Sequence, residues 1–126
     1  MVKLMGFVKV ENRKTEEILL NSARWCDSRL CKFLGFQFRR KLRPGEALIL
    51  VHEKESIRGT SIHMLFVFTK LAAIWINSQG EITHTELAHP WKLYYASPKP
   101  ARYVLESHPD FLKSISIGDE LDFLSK

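Results

Sequence analysis

The stretch SIHMLFVFTKLAAIWIN, residues 61–77, is the least polar part of this chain, and any fold must find a place for it. Only about fifteen residues, Ile62 to Ile76, lie between its polar ends, and His63, Thr69 and Lys70 interrupt them. A membrane-spanning helix needs roughly 20 largely apolar residues, and a charge in mid-bilayer is costly. That excludes a spanning helix and leaves a folded core. Aromatic and β-branched residues dominate, which favours strands. The pattern predicts two adjacent strands, about Ile62–Phe68 and Ala72–Asn77, bent at Thr69-Lys70. On that reading His63 is a buried core histidine, its ring nitrogens bonded to backbone or to Glu106.

The flanking sequence is also patterned as strands. Phe7-Val8-Lys9-Val10 alternates, and Glu11 to Thr15 supplies turn chemistry before a return strand over 17–25. Asp27 or Ser28 is placed to cap a short helix, about residues 28–34, in which Leu30, Phe33 and Leu34 recur at helical spacing before Gly35. Pro44-Gly45 turns the chain into a strand at 47–52, and Ser78-Gln79-Gly80 turns it into another at 81–87. Further strands are expected at 102–107 and 120–123, with a helical turn near 111–115. Short strands at near-regular spacing with little helix indicate a mainly β fold, a single-domain β-sandwich or small β-barrel. The 126 residues suit one domain, 1–126, with its core at about 10–123.

Composition narrows the class. Apolar residues make up 45% and charged ones 26%, which excludes general disorder. The N-terminus, MVKLMGFVKVENRK, lacks the apolar run and small-residue site of a secretory leader. The two cysteines, Cys26 and Cys31, are too few for a disulfide-stapled secreted domain, and no second ligand pair follows at zinc spacing. They are expected as two reduced, packed thiols, and the location as cytoplasmic.

The order of short motifs resembles the DUF192 family, also called UPF0127, of small bacterial and archaeal proteins. The opening VENRKTEEILLNSARWCDS, the helix SRLCKFLGFQFRR and the loop LRPGEALIL appear in family order. TSIHMLFVF, HPW, RYVLE and IGDEL follow. The resemblance implies a mainly β domain of one sandwich or barrel, with no established activity, cofactor or partner. Three departures stand out. Lys70-Leu71-Ala72 replaces a Pro-Ile-Asp run, Asn77 replaces an aspartate, and LESHPDF alters a Leu-Glu-x-Pro-x-Gly run. Chemistry that relies on those carboxylates is not implied here.

Two regions are candidate sites. Ser61 and His63, two residues apart on one strand face, would line a ligand pocket with Arg102 and Glu106. As nucleophile and base they would need an orienting third group and an oxyanion site, and no G-x-S-x-G elbow is present. No catalytic residues are assigned. His84, Glu86 and His89 read as a solvated face and loop rather than metal ligands, and no cofactor motif is found. The second region is electrostatic. Residues 24–43 carry Arg24, Arg29, Lys32, Arg39, Arg40, Lys41 and Arg43 against Asp27, a net of +6, while the rest of the chain is near neutral at −1. Such a patch suits an acidic protein, lipid head groups or nucleic acid. Helical spacing predicts that Phe33 and Phe36 point into the core, leaving the charges without stacking partners. The leading expectation is a non-enzymatic binding or interaction module. A nucleic-acid-binding module using residues 24–43 comes second, and a hydrolase using Ser61 and His63 third.

Overall fold

Asn12 starts the fold. Its side-chain oxygen accepts the backbone N–H groups of Lys14 and Thr15, at 2.9 and 3.1 Å, and so folds the ENRKT turn. That turn joins β1, Phe7–Asn12, to β2, Ile18–Cys26, as an antiparallel hairpin. The structure is a computed structural model that describes residues 6–126; the part of the leader reading that falls on residues 1–5 lies outside it. Ser28 caps α1, Arg29–Leu34, by accepting the Cys31 N–H at 3.1 Å. Then come β3, Ala47–Ser56, β4, Leu71–Ile76, β5, Ile82–Ala88, and β6, Ala101–Ser107. A 3₁₀ helix, Pro109–Ser114, and β7, Leu121–Ser125, complete the chain.

Among the described residues, seven strands form one sheet in the order β5-β4-β6-β3-β2-β1-β7. Every pairing is antiparallel except β2 with β3, whose connection carries α1 across the sheet. The sheet curls until its edge strands meet at one corner. There Ile82 N–H donates to the Asp119 carbonyl at 2.9 Å, and Leu121 N–H to the Gly80 carbonyl at 2.8 Å. The result is a mainly β half-barrel. Of the two expected architectures, the barrel form is the one that one continuous sheet makes.

β4 decides how the rest packs. All six of its residues are buried, so both faces of the sheet need cover. Ala72, Ile74 and Ile76 face the barrel interior with Val10, Ile49 and Leu105. Leu71, Ala73 and Trp75 face outward, beneath a layer built from Phe36, Leu42, Ile62, Met64, Val67 and Tyr95. Trp75 Nε1–H donates to the Thr60 carbonyl at 2.8 Å and ties that layer to the sheet.

The outer layer overturns three expectations. Residues 62–68 are not a strand. Only Ile62 pairs, in an isolated bridge with Tyr95, while Ile62, Met64 and Val67 drop onto β4 and the chain loops outward between them. His63 is accordingly exposed rather than core, and its Nδ1 accepts the Leu65 N–H at 3.3 Å. Nor does Phe33 point inward with Phe36: no residue of α1 is buried, and of that pair only Phe36, beyond the helix end, enters the core. The cysteines are not free thiols either. Cys26 ends β2, the chain turns at once into α1, and the Cα atoms of Cys26 and Cys31 come within 5.6 Å, joined by a disulfide. The number of cysteines argued for thiols; the β2–α1 corner pairs them. The thiol argument for a reducing compartment falls with it. Among the described residues, no helix is long and apolar enough to cross a membrane.

The closing corner gives a test. Gly80 has φ of 88°, and a Cβ there would sit 2.5 Å from the Leu121 carbonyl oxygen and 2.6 Å from Arg13 Nη2. Gly118 has φ of 97° with nothing within 4 Å. Gly118→Ala should cost about 1–2 kcal/mol, the conformational penalty alone. Gly80→Ala should cost more, roughly 3 kcal/mol or above, because backbone must also move. Urea unfolding of both variants checks the difference.

Candidate functional site

A carboxylate stands in the apolar middle of the outer layer. Glu106 on β6 lies in register with Leu48 of β3 and Ala73 of β4 and shares the outward face of Val104. It is only 5% exposed. Its carboxylate makes no hydrogen bond to any described residue, and burial alone pushes its pKa up from 4.5 to about 7. The oxygens open instead into a cavity of about 80 Å³. Gly35, the C-cap of α1, forms part of the roof, where a Cβ would come 3.4 Å from Oε1. A residue without a side chain at the helix end therefore keeps the carboxylate accessible.

The other walls are polar on one side and apolar on the other. Ser61 and His63 come from the loop after β3, His52 from β3 itself, and Lys32 from α1, while Phe36, Leu50, Met64, Val67 and Leu71 supply apolar surface. Burial, and then the charge of Lys32, hold His52 below its ordinary pKa, which favours the neutral imidazole. Lys32 Nζ donates to the Val51 carbonyl at 2.8 Å.

Three of the four expected pocket residues, Ser61, His63 and Glu106, thus border one cavity, although His63 does so from an exposed loop. Arg102 does not. It shares the face of Glu106 but lies four residues along the strand, roughly 13 Å away. Its Nε donates to the His52 carbonyl at 2.9 Å, and its guanidinium covers the Tyr103 ring. The Ser-His pair is not assembled: Ser61 Oγ donates to the Arg58 carbonyl at 2.7 Å, and His63 Nδ1 is held by Leu65. Gly35, His52 and Lys32 join the cavity unforeseen as wall residues. Gly35 is legible in sequence only as a helix stop and Lys32 only as one of seven cations.

The seven cations of residues 24–43 sit in several different settings. Arg24 and Arg39 border a separate groove of about 450 Å³ beside Leu34 and Phe38. Arg39 grips Glu46 with both arms, at 2.6 and 2.9 Å, which raises its own pKa and lowers that of Glu46. Lys32 turns into the cavity wall, Arg29 is exposed on α1, and Arg40, Lys41 and Arg43 are exposed on the following loop. His84 Nε2 and Glu86 Oε2 lie 2.9 Å apart, but His89 is elsewhere. Among the described residues, no three His, Cys, Asp or Glu side chains are grouped to hold a metal.

The fold is thus a half-barrel with one covered outer face and a buried carboxylate beneath the cover. The chain belongs to the DUF192 family, described as "Uncharacterized ACR", whose sequence model matches residues 9–123. A UPF0127 protein of Pyrococcus furiosus is 30% identical over 112 residues, covering 87% of this chain and 92% of that one. Another, of Thermococcus kodakarensis, is 27% identical; the match covers 79% of this chain but only 60% of the longer relative. The fold is also similar to a crystal structure from Sinorhizobium meliloti 1021, named as a proposed transcription regulator. The TM-score is 0.81 at 21% identity, over 98% of this chain and 97% of that one. A protein of unknown function from Novosphingobium aromaticivorans gives 0.77 at 16% identity, over 92% and 83%.

The buried carboxylate predicts an inverted pH response. With its folded pKa raised to about 7, Glu106 favours folding fully below its unfolded value near 4.5. That contribution is lost as pH rises through 7, because the unfolded chain then ionises freely while the folded one resists. At 1.36 kcal/mol per pH unit the loss approaches roughly 3 kcal/mol. Glu106→Gln should therefore be more stable than the wild type at pH 8, and the gap should shrink steadily towards pH 5. Chemical denaturation of both proteins across that range reads the difference.

Proposed function

We propose that this protein is a non-enzymatic binding module whose ligand site is the Glu106 cavity. The observation that carries the reading is a carboxylate nine-tenths buried, without a protein partner, and open to a space. The carboxylate oxygens are not sealed in but keep access to the cavity, so a donor that enters there can pair with them, as buried polar groups ordinarily are paired. A group that answers an ionised carboxylate at close range is a hydrogen-bond donor, best a cationic one.

Size narrows the ligand further. Whole small-molecule pockets run to roughly 300–1,000 Å³, whereas this cavity is about 80 Å³. It suits the end of a ligand: an ammonium, a guanidinium or a primary amide, with the remainder lying across Ser61 and His63 at the mouth. Phe36, Met64 and Val67 exclude water around that end group, which strengthens its bond to Glu106.

Amide spectra of ¹⁵N-labelled protein, titrated with methylammonium, guanidinium, acetamide and acetate at pH 8, test this. The donors should shift the Gly35, Ser61 and Glu106 amides, acetate should not, and Glu106→Gln should abolish the response to the cations. Unmoved amides with every donor at tens of millimolar would overturn the reading and leave Glu106 as a hydrated structural carboxylate.

A further inference from the structure

Four large rings stand in solvent on the far side of the outer layer. Phe38 is 63% exposed, Trp91 48%, Phe66 45% and Phe68 38%. They come from three separate loops and touch one another. Phe38 stacks on Phe66 with centroids 5.6 Å apart, and Trp91 meets Phe66 at 5.3 Å and Phe68 at 5.7 Å. Together they form one platform, independent of the Glu106 carboxylate. Exposed apolar clusters of this kind mark interaction surfaces.

The backbone beneath the platform is held at a cost. Four described non-glycine residues have positive φ, and three of them are Phe38 at 68°, Phe66 at 60° and Trp91 at 68°. Bulky residues seldom adopt that conformation, and strain of this sort clusters where function requires it. Backbone bonds enforce it: Phe38 N–H to the Phe66 carbonyl at 2.6 Å, Trp91 N–H to Met64 at 2.8 Å, and Phe68 N–H to Arg39 at 3.2 Å. The rings are therefore aimed by a rigid frame.

The three segments that carry the rings bring charge of one sign, with Glu46 from the next turn answering Arg39. Residues 36–43, 64–70 and 89–94 contain Arg39, Arg40, Lys41, Arg43, Lys70 and Lys92, and no aspartate or glutamate. Arg39 is engaged by Glu46, while the Arg40 guanidinium lies over the Phe68 ring at 5.4 Å. Fixed aromatic faces interleaved with free cations match a polymer of flat rings joined by phosphates. A duplex hides its base faces, so the bases must be unpaired. A membrane surface would attract the same cations, but a fluid bilayer gains nothing from rings locked in orientation.

From this geometry we infer that the Phe38–Phe66–Phe68–Trp91 platform binds single-stranded nucleic acid. Bases stack on the rings, and Arg40, Lys41 and Arg43 take phosphates. The contacts are with base faces and backbone, so recognition is tolerant of sequence.

The full chain is titrated into fluorescein-labelled dT20, rU20 and a 20-base-pair duplex by anisotropy, and into vesicles of 30% phosphatidylserine in phosphatidylcholine by sedimentation. Variants are Phe68→Ala, Phe66→Ala, Trp91→Ala and Arg40→Gln/Lys41→Gln/Arg43→Gln, each checked by thermal melting. Both single strands should bind more tightly than the duplex. Phe68→Ala, at a position of ordinary φ, should weaken binding at least about fivefold with the salt slope unchanged. The triple variant should flatten the slope by about 2 in log affinity against log salt, near 0.7 for each phosphate lost. A preference between dT20 and rU20 would identify which strand the platform takes. Equal affinity for duplex, or wild-type affinity in a folded Phe68→Ala protein, would overturn the inference. Vesicle binding without oligonucleotide binding would reassign the platform to a membrane surface.

Discussion

β4 is the constraint on which the structure depends. Six consecutive residues, Leu71 to Ile76, are buried on both faces, and a central strand of a one-layer sheet cannot be buried that way. The inner face is covered because the sheet curls into a half-barrel. The outer face must be covered by chain that belongs to no strand, and three loops and the end of α1 do this. Both candidate surfaces are consequences. The cavity is the gap left where loop side chains meet the Glu106 carboxylate, and the aromatic platform is the solvent side of the same loops.

The two surfaces share their supports. Residues 61–68 contribute Ser61, His63, Met64 and Val67 to the cavity and Phe66 and Phe68 to the platform. The segment after α1 gives Gly35 and Phe36 to one and Phe38 to the other. Alternation along these loops puts one set of residues on β4 and the next into water. The disulfide anchors the beginning of this segment at the β2–α1 corner.

What sequence reveals here is what short-range pattern encodes. The hairpin, the α1 cap, the strands after Pro44-Gly45 and Gly80, and the last strand follow from turn residues and period-two alternation, and the structure contains them. Residues 62–68 mislead because IHMLFVF has strand composition while its backbone bends through positive φ at Phe66, where sequence rules expect glycine. His63 was misplaced with it, as its burial depended on a strand that does not form. Phe33 shows the converse failure: helical spacing implied an apolar face with a partner, but α1 has only six residues and buries none of them. Glu106 was legible as a pocket residue beside Ser61 and His63. Its missing partner was not, because that depends on what four distant segments bring above it.

The central claim is that Glu106 is a buried carboxylate with no partner of its own, held ready for one supplied from outside. A pH titration of the ¹³C side-chain carboxyl resonances of the isolated protein, with Glu106 assigned by loss of its signal in Glu106→Gln, tests it most directly. The account predicts a midpoint near 7 that moves down when a cationic end group occupies the cavity. A midpoint at the ordinary value near 4.5, unmoved by any cation, would contradict it.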